Sequence, residues 1–269
     1  MKPDKIASCD TLLIEQCAAY SKDAYRMKVD GIFIEDENTD TQSFIVVDGD
    51  YIVFTGQGTT SVTDWMIDFR LYRTRVPYLR DCLVHAGFIK SYNSIRERVH
   101  ECIDNIMKEK EIKGFICTGH SLFGAIATVA SLDLKFRFPD LEVICVSFGA
   151  PRAGSRLFAK LFNESINKSY RCVRLKDPVA FTPTAPRFSH VSGGLHFNQK
   201  SMDWKVPVMN VVGCSVGHHD MSEYFEFIHK VNIGEIPRQV VKEDAVKEDA
   251  VKEEEVVVEE KPKKRFWFW

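Results

Sequence analysis

Apolar and polar positions recur along the chain with two periods, which together predict an α/β fold. The three- and four-residue spacing and the length of apolar stretches predict helices over residues 9–25, 88–108, 122–136, 155–162 and 219–231. Short β-rich runs predict strands over residues 43–47, 51–55, 114–118, 141–148 and 170–175. Because strands and helices alternate from about residue 85 to 180, we expect a three-layer arrangement, a mainly parallel central sheet between helices.

Three segments interrupt this pattern. Residues 31–40 are predicted to be a loop, and residues 183–207, rich in proline, glycine and serine, an irregular loop or a short hairpin. Residues 69–83 mix arginines with apolar side chains too irregularly for a core element, which favours a mobile, half-apolar flap.

The composition changes sharply after residue 235, so we expect one domain over residues 1–235 and a disordered tail over residues 236–269. The tail repeats residues 241–245 as residues 246–250, with much charge and few apolar side chains. Its end, residues 261–269, joins basic residues to four aromatic ones, which favours peripheral contact with an anionic membrane. A merely adhesive end and a site for a protein partner are the alternatives.

Charge and the N-terminal sequence exclude some function classes. The net charge is −2 and the globular part has no long basic stripe, so nucleic acid is not an expected partner. Residues 1–10 contain no apolar run of the kind found in signal peptides or membrane spans. We therefore expect a cytoplasmic chain that is at most peripheral at membranes or lipid surfaces.

Neither a disulfide framework nor a metal or other cofactor is expected. The eight cysteines are scattered without a CxxC spacing, which favours reduced, buried thiols. His218, His219 and Asp220 are adjacent in a loop, where neighbouring histidines chelate poorly without further ligands.

A serine-centred turn lies where the apolar run 114–118 ends and the helix from residue 122 begins. Residues 119–123 have the outline of a nucleophile elbow, a sharp strand-to-helix turn that exposes a serine hydroxyl, here that of Ser121. The usual pattern has glycine two residues after the serine, and Phe123 stands there instead. This exchange predicts crowding that displaces Ser121 from its productive geometry.

A serine hydroxyl is a weak nucleophile that needs a general base and a carboxylate to orient that base. Asp177 follows a β-rich run, at the carboxyl end of a predicted strand, and His219 lies in a loop from which it can reach the elbow. A plain turn at Asp177 and a surface position for His219 are the alternatives. His120 is expected to point away from the serine, because successive residues of a strand point to opposite faces.

An oxyanion formed during acyl transfer needs at least two hydrogen-bond donors. The backbone N–H of Leu122 is one candidate. A second donor is expected from the loop after Thr55, where Gly56, Gly58 and Thr59 let the backbone approach closely.

Six sequence blocks, taken in order, resemble the class 3 lipase family from about residue 10 to 232. The blocks are residues 51–59 with Asp64 and Trp65, residues 84–88, residues 118–122 with Gly124 and Ala125, residues 148–152, residues 177–179, and residues 219–221 with Tyr224.

This resemblance implies an α/β-hydrolase fold and a Ser-His-Asp triad. Ser121 would be the nucleophile, His219 the base and Asp177 the residue that orients it. The implied activity is hydrolysis of carboxylic esters of lipids, acylglycerols or phospholipids, through an acyl-enzyme. The family's lid would fall within residues 69–83.

Two departures from the family pattern keep other functions open. The oxyanion loop, residues 54–60, is about two residues longer and lacks the family's arginine, so the oxyanion residue is either Thr59 or Thr60. Phe123 is the second departure. Together they leave open a catalytically weak, lipase-like module that binds membranes or a partner. An acyltransferase is a third hypothesis.

Overall fold

The structure is a computed structural model that describes residues 8–58, 72–174, 176–183, 186–198, 201–203 and 215–235. Its strands are β1 (Ile32–Asp36), β2 (Thr41–Asp48), β3 (Tyr51–Gly56), β4 (Arg73–Val76), β5 (Cys82–His85), β6 (Gly114–His120), β7 (Glu142–Phe148), β8 (Lys168–Arg174), β9 (Gly194–Asn198) and β10 (Ser201–Asp203). The helices are α1 (Ser8–Ala24), α2 (Ala86–Glu109), α3 (Leu122–Arg137), α4 (Arg156–Ser165) and α5 (Met221–Asn232).

Within the described residues, one large sheet has the strand order β1-β2-β3-β6-β7-β8-β9-β10. The strands from β3 to β9 in this order are parallel to their neighbours, and antiparallel pairs extend the sheet at both edges. All seven residues of β6 are buried, as expected for a central strand covered on both faces. The predicted three-layer, mainly parallel sheet is confirmed.

Side-chain alternation along β6 separates the core into two halves. Phe115 and Cys117 pack with residues of α2, α3 and α4 on one face of the sheet, which we call the α2–α3 core. Ile116 packs with residues of α1 and α5 on the other face, the α1–α5 core. Helix α3 is buried from Phe123 to Leu134, and its alanines allow the close approach to the sheet that such a position requires.

Two segments differ from the sequence-based prediction. Residues 32–36, predicted as loop, form the edge strand β1, which pairs with β2 and buries only Ile34. A strand with one clearly buried side chain lacks the alternation that reveals strands in sequence. Residues 72–83, the described part of the predicted flap, belong to a packed β4–β5 hairpin that buries Val76, Leu79 and Cys82.

Further predictions concern the segment 183–207, the cysteines, membrane-spanning helices and the tail. The short hairpin expected within residues 183–207 is present as β9 and β10. The six cysteines whose side chains the structure describes are unpaired, and burial raises the pKa of Cys17 to about 12 and that of Cys145 to about 11. Among the described residues, no helix is long and apolar enough to cross a membrane. The predicted tail, residues 236–269, lies outside the described residues.

Candidate active site

Ser121 stands alone between the last residue of β6 and the first of α3, in a backbone conformation that is unusual for a serine. Its φ is 59° and its ψ is −130°. Its N–H donates to the carbonyl of Phe148, the last residue of β7, at 2.9 Å. A positive φ in a residue with a side chain costs roughly 1–3 kcal/mol and is typical of functional sites. The predicted strand-to-helix elbow is therefore present, with the serine side chain buried.

The expected crowding by Phe123 is not seen, because two glycines make room for the ring. A Cβ on Gly56 would lie 2.2 Å from Phe123 Cε2, and one on Gly119 would lie 2.8 Å from Phe123 Cδ1. The ring is fully buried and packs against Phe54, with ring centroids 5.1 Å apart. The side chain thus occupies its own slot while Ser121 keeps the elbow geometry.

Asp177 and His219 are brought together from loops 42 residues apart in the chain. Asp177 lies in the turn after β8, and His219 ends a short 3₁₀ helix, Val216–His219, just before α5. His219 Nδ1 lies 2.7 Å from Asp177 Oδ2, and both side chains are buried. An ionised carboxylate only accepts hydrogen bonds, so Nδ1 carries the proton and Nε2 is left as the acceptor.

Two further groups hold the Asp177 carboxylate. The N–H of Val179 donates to Oδ1 at 2.9 Å, and the hydroxyl of Tyr224, from α5, donates to Oδ2 at 2.7 Å. Burial and the charge of Asp177 raise the pKa of Tyr224 well above its usual value, so this hydroxyl stays a donor. Because three donors surround the carboxylate, its position is tightly defined.

Gly149 allows this pair to lie against the end of β7. Its φ is +56°, and a Cβ there would come within 2.6 Å of Asp177 Oδ2 and 3.0 Å of His219 Nδ1. Both the backbone conformation and the lack of space therefore require glycine at this position.

His120 also belongs to the site, which the sequence-based reasoning missed. Its ring lies against that of His219, with centroids 4.3 Å apart and an interplanar angle of 34°. Burial and the nearby His219 hold the pKa of His120 well below its usual value, so the ring is neutral. His120 therefore supports one face of the His219 ring.

Tyr25, just after α1, connects His120 to the loop beyond β3. The Tyr25 hydroxyl lies 2.9 Å from His120 Nδ1 and also accepts a hydrogen bond from the Gly58 N–H. A Cβ on Gly58 would lie 3.2 Å from Ser121 Cβ, so this loop passes directly beside the serine. No local sequence pattern indicates this contact, because Tyr25 and His120 are 95 residues apart.

Two reactive atoms of the cluster remain without hydrogen bonds. Like His120 Nε2, Ser121 Oγ and His219 Nε2 are buried and have no partner among the described residues, so no hydrogen bond joins these two atoms. One is a hydroxyl that can give up a proton, and the other is the nitrogen lone pair left by the bond to Asp177. Once they come within hydrogen-bond distance of each other, such a pair can generate a serine nucleophile by general-base catalysis.

Of the predicted oxyanion donors, only Leu122 lies within the described residues. Leu122 begins α3, so its N–H is one of the unpaired donors at a helix N-terminus. Thr59 and Thr60 lie outside the described residues, and Gly58 is the last described residue of their loop. Among the described residues no group of three or more His, Cys, Asp or Glu side chains is placed to hold a metal ion.

Parts of the chain are similar in sequence to known lipases and to a phospholipase. Residues 53–186 match the family described as lipase (class 3). The chain is 31% identical over 134 residues to secreted mono- and diacylglycerol lipase 1 of Fusarium solani, a match that covers 49% of this chain and 39% of that protein. It is also 31% identical over 149 residues to phospholipase A(1) DAD1, chloroplastic, of Arabidopsis thaliana, covering 49% of this chain and 33% of the relative.

These relatives correct the expected cytoplasmic location. The lipases of Fusarium solani, Penicillium cyclopium and Malassezia restricta that match the chain are named as secreted, and the phospholipase A(1) of Arabidopsis thaliana as chloroplastic, which contradicts the cytoplasmic expectation. The expectation relied on the lack of an apolar run in residues 1–10, and this short stretch does not decide the compartment.

A solved structure shares the fold. Lipase II from Rhizopus niveus superposes with a TM-score of 0.71 at 21% identity, covering 79% of this chain and 94% of that one. The predicted α/β-hydrolase fold is thereby confirmed. With the match over residues 53–186 and this shared fold, the chain belongs to the class 3 lipase family.

Proposed function

We propose that this protein is a serine hydrolase that cleaves carboxylic esters of lipids. Ser121 acts as the nucleophile, His219 as the general base and Asp177 as the group that orients the base. The observation that carries this proposal is the pair of buried atoms, Ser121 Oγ and His219 Nε2, left without partners in a cluster whose carboxylate is fully hydrogen-bonded.

In the first half-reaction Ser121 Oγ attacks the ester carbonyl carbon while its proton passes to His219 Nε2. The resulting imidazolium is stabilised by the negative charge of Asp177. When the tetrahedral intermediate collapses, the bond from carbon to the alcohol oxygen breaks and Nε2 returns the proton to the leaving alcohol. The acyl group is then esterified to Ser121.

In the second half-reaction water attacks the acyl-enzyme, with His219 Nε2 taking a proton from the water. The tetrahedral intermediate collapses, the carboxylic acid leaves, and the proton returns to Ser121 Oγ. The Leu122 N–H, at the N-terminus of α3, is the proposed oxyanion donor from the elbow. One of Thr59 and Thr60 is the proposed donor from the loop after β3.

The residues around the triad are proposed to keep the base in place. Tyr224 and the Val179 N–H fix the carboxylate, and His120 stacks against the base. Since His120 is neutral, it adds no positive charge to oppose the imidazolium that forms at His219. These contacts limit the motion of the ring while leaving Nε2 available.

The proposed substrates are esters of glycerol. Relatives that match the chain are named as mono- and diacylglycerol lipases and as a phospholipase A(1), which share cleavage of a fatty acyl ester. The chain spans only about a third to a half of these relatives, so their substrates enter here as part of the proposal. Membrane contact through residues 261–269 stays a prediction of the sequence.

The alternative, a catalytically weak module that binds membranes or a partner, is not favoured. One of its two supports was crowding by Phe123, and the slot formed by Gly56 and Gly119 answers that argument. The other, the altered oxyanion loop, lies partly outside the described residues.

Covalent labelling tests the proposal. The wild-type chain should react with a fluorophosphonate probe and hydrolyse p-nitrophenyl esters, whereas Ser121→Ala should do neither. Ser131→Ala is the matched control, because Ser131 is also a buried serine and its hydroxyl donates to the Ala127 carbonyl at 2.8 Å. If well-folded wild-type protein fails to label, the binding module becomes the better hypothesis. Consumption of glycerides and phospholipids by active and Ser121→Ala protein then identifies the substrate class.

A further inference from the structure

A buried arginine lies in β8, on the sheet face opposite α1 and α5. Tyr170 and Cys172 pack in the α1–α5 core, so Arg171 between them faces the other side. Arg171 is only 9% exposed, and its Nε has no hydrogen-bond partner among the described residues. Burial, with the nearby Arg152, lowers the pKa of Arg171 to about 10. Burying a guanidinium without a counter-charge is costly, so this position requires an explanation.

The nitrogen atoms of two side chains converge over Gly194, which is the register partner of Arg171 in β9. A Cβ on Gly194 would lie 2.8 Å from Arg171 Nη2 and 2.9 Å from His196 Nε2. Both ring nitrogens of His196 are buried and have no partner among the described residues. Gly194 does not adopt a positive φ, so its backbone does not require glycine. The small residue instead leaves the two nitrogen-bearing groups facing the same point.

The surrounding side chains are basic, and their own hydrogen bonds are satisfied by carbonyl groups. Arg152 donates to the carbonyls of Phe181 and Pro183, and His190 Nε2 lies 2.7 Å from the Ala180 carbonyl. Burial and the positive charge of Arg171 lower the pKa of His196 to about 3, which leaves its ring neutral with one N–H to donate. Among the side chains that the structure describes, which do not include that of Asp203, no carboxylate forms an ion pair with Arg171.

We propose that Arg171 and His196 form a binding site for a small oxyanion over Gly194, separate from the ester-cleaving residues. The guanidinium offers several N–H donors in a fixed fork, which suits the paired oxygens of a carboxylate or an inorganic phosphate. The neutral imidazole adds a further donor. The bound anion neutralises Arg171 and stabilises the junction of β8 and β9. A carboxylate and a phosphate share this chemistry, and separate titrations with acetate and phosphate distinguish them.

The first test supplies the anion from the protein itself. Gly194→Asp places a carboxylate next to the two nitrogens, and Gly194→Asn is the matched control of nearly equal size without the charge. We expect the aspartate variant to melt several degrees above the asparagine variant, as measured by thermal unfolding of the intact chain. Equal melting temperatures for the two variants would overturn the proposal.

The second test titrates sodium phosphate or sodium acetate at constant ionic strength. Wild-type protein should show a rise in melting temperature of about 3–6 °C when the effective anion is about tenfold above its Kd, and the rise should continue with the logarithm of anion concentration. Arg171→Met and Gly194→Asp should lose this rise, whereas Arg98→Met, at an exposed arginine of α2, should keep it. Phosphate and acetate assayed separately identify which oxyanion the site takes.

Asp203 is a residue of the chain that could replace the bound anion as the counter-charge of Arg171, because it lies opposite His196 in the β9–β10 register. A wild-type protein without this rise and an Asp203→Asn variant that acquires it would identify Asp203 as the counter-charge and contradict the proposal. A rise that persists in Arg171→Met also contradicts it. A logarithmic rise in wild-type protein that is lost in Arg171→Met supports it, and this readout does not depend on esterase activity.

Discussion

Two buried clusters in this protein pair an aspartate with a histidine and a tyrosine, yet only one is suited to catalysis. In the active-site cluster, Asp177 is hydrogen-bonded by His219 and Tyr224, each at 2.7 Å. In the second cluster, between α2 and α3, Asp133 is hydrogen-bonded by Tyr92 at 2.8 Å and His100 at 2.9 Å. The residue types and distances are nearly the same, so these alone do not define a catalytic site.

The charge around each carboxylate differs. Arg96 binds Asp133 through two nitrogens, Nε at 2.8 Å and Nη2 at 3.0 Å, and thus neutralises it. Asp177 has no such arginine or lysine partner in the described part of the chain. Its negative charge is therefore available to stabilise a protonated His219. The comparison teaches that a catalytic His–Asp pair needs an uncompensated carboxylate and a nucleophile near the second ring nitrogen.

The largest expected effect separates the two aspartates by activity. Asp177→Asn should lower kcat/KM for a p-nitrophenyl ester by about 10⁴-fold, because the base loses its orientation and the imidazolium loses its counter-charge. Asp133→Asn should leave kcat/KM within a few-fold of wild type, measured on an equal amount of folded protein. Similar losses in the two variants would contradict the distinction drawn between the clusters.

The second-largest expected effect is on the free energy of unfolding. Asp133→Asn should lower the free energy of unfolding by about 3 kcal/mol in urea titrations, because Arg96 loses its partner in a largely buried site. The exposed pair of Asp104 with Arg137, 2.6 Å apart, provides the control, and Asp104→Asn should cost less than about 1 kcal/mol.

The same cluster predicts how this stability depends on pH. Burial alone would raise the pKa of Asp133, but hydrogen bonds from His100, Arg96 and Tyr92 outweigh burial and lower it below 3.8. A carboxyl group whose pKa is lowered on folding stabilises the protein fully above its unfolded pKa. The stability difference between wild type and Asp133→Asn should thus be constant near neutral pH and shrink as the pH falls below 3.8. A difference that grows on acidification would refute the assignment.

The smallest expected effect tests the support beneath the catalytic histidine. Tyr25→Phe removes the hydroxyl that joins His120 to Gly58, and should lower kcat about tenfold through small displacements at the site. KM should stay within about twofold, and the unfolding free energy should fall by about 1 kcal/mol.

Tyr20→Phe, on α1, is the control, because the Tyr20 hydroxyl donates to Asp48 at 3.0 Å, away from His120, and its loss should leave kcat unchanged. Equal kcat values for the two tyrosine variants would show that the contact with His120 has no role in positioning the base.

Much of the fold was predictable because local periodicity records which side of an element is buried. Helix α2 buries Phe88, Tyr92, Ile95 and Val99 at helical spacing, and its predicted and observed ranges nearly coincide. Strand β1 and the first strand of the β4–β5 hairpin were missed because too few of their side chains are buried to produce a clear period. β1 buries one residue clearly, and β4 buries only Val76, which follows the exposed Arg73 and Arg75. Their pairing partners, rather than their own patterns, determine their structure.

The sequence by itself determined the elements, the serine turn and the candidates Asp177 and His219, because each depends on residues that are close together in the chain or on a recognisable block. Only the tertiary structure decided that Gly56 and Gly119 accommodate Phe123, that Tyr25 reaches His120, and that Arg171 faces Gly194 and His196. These contacts join residues from different elements. They depend on which strands become neighbours in the sheet, and no local period in the sequence records that.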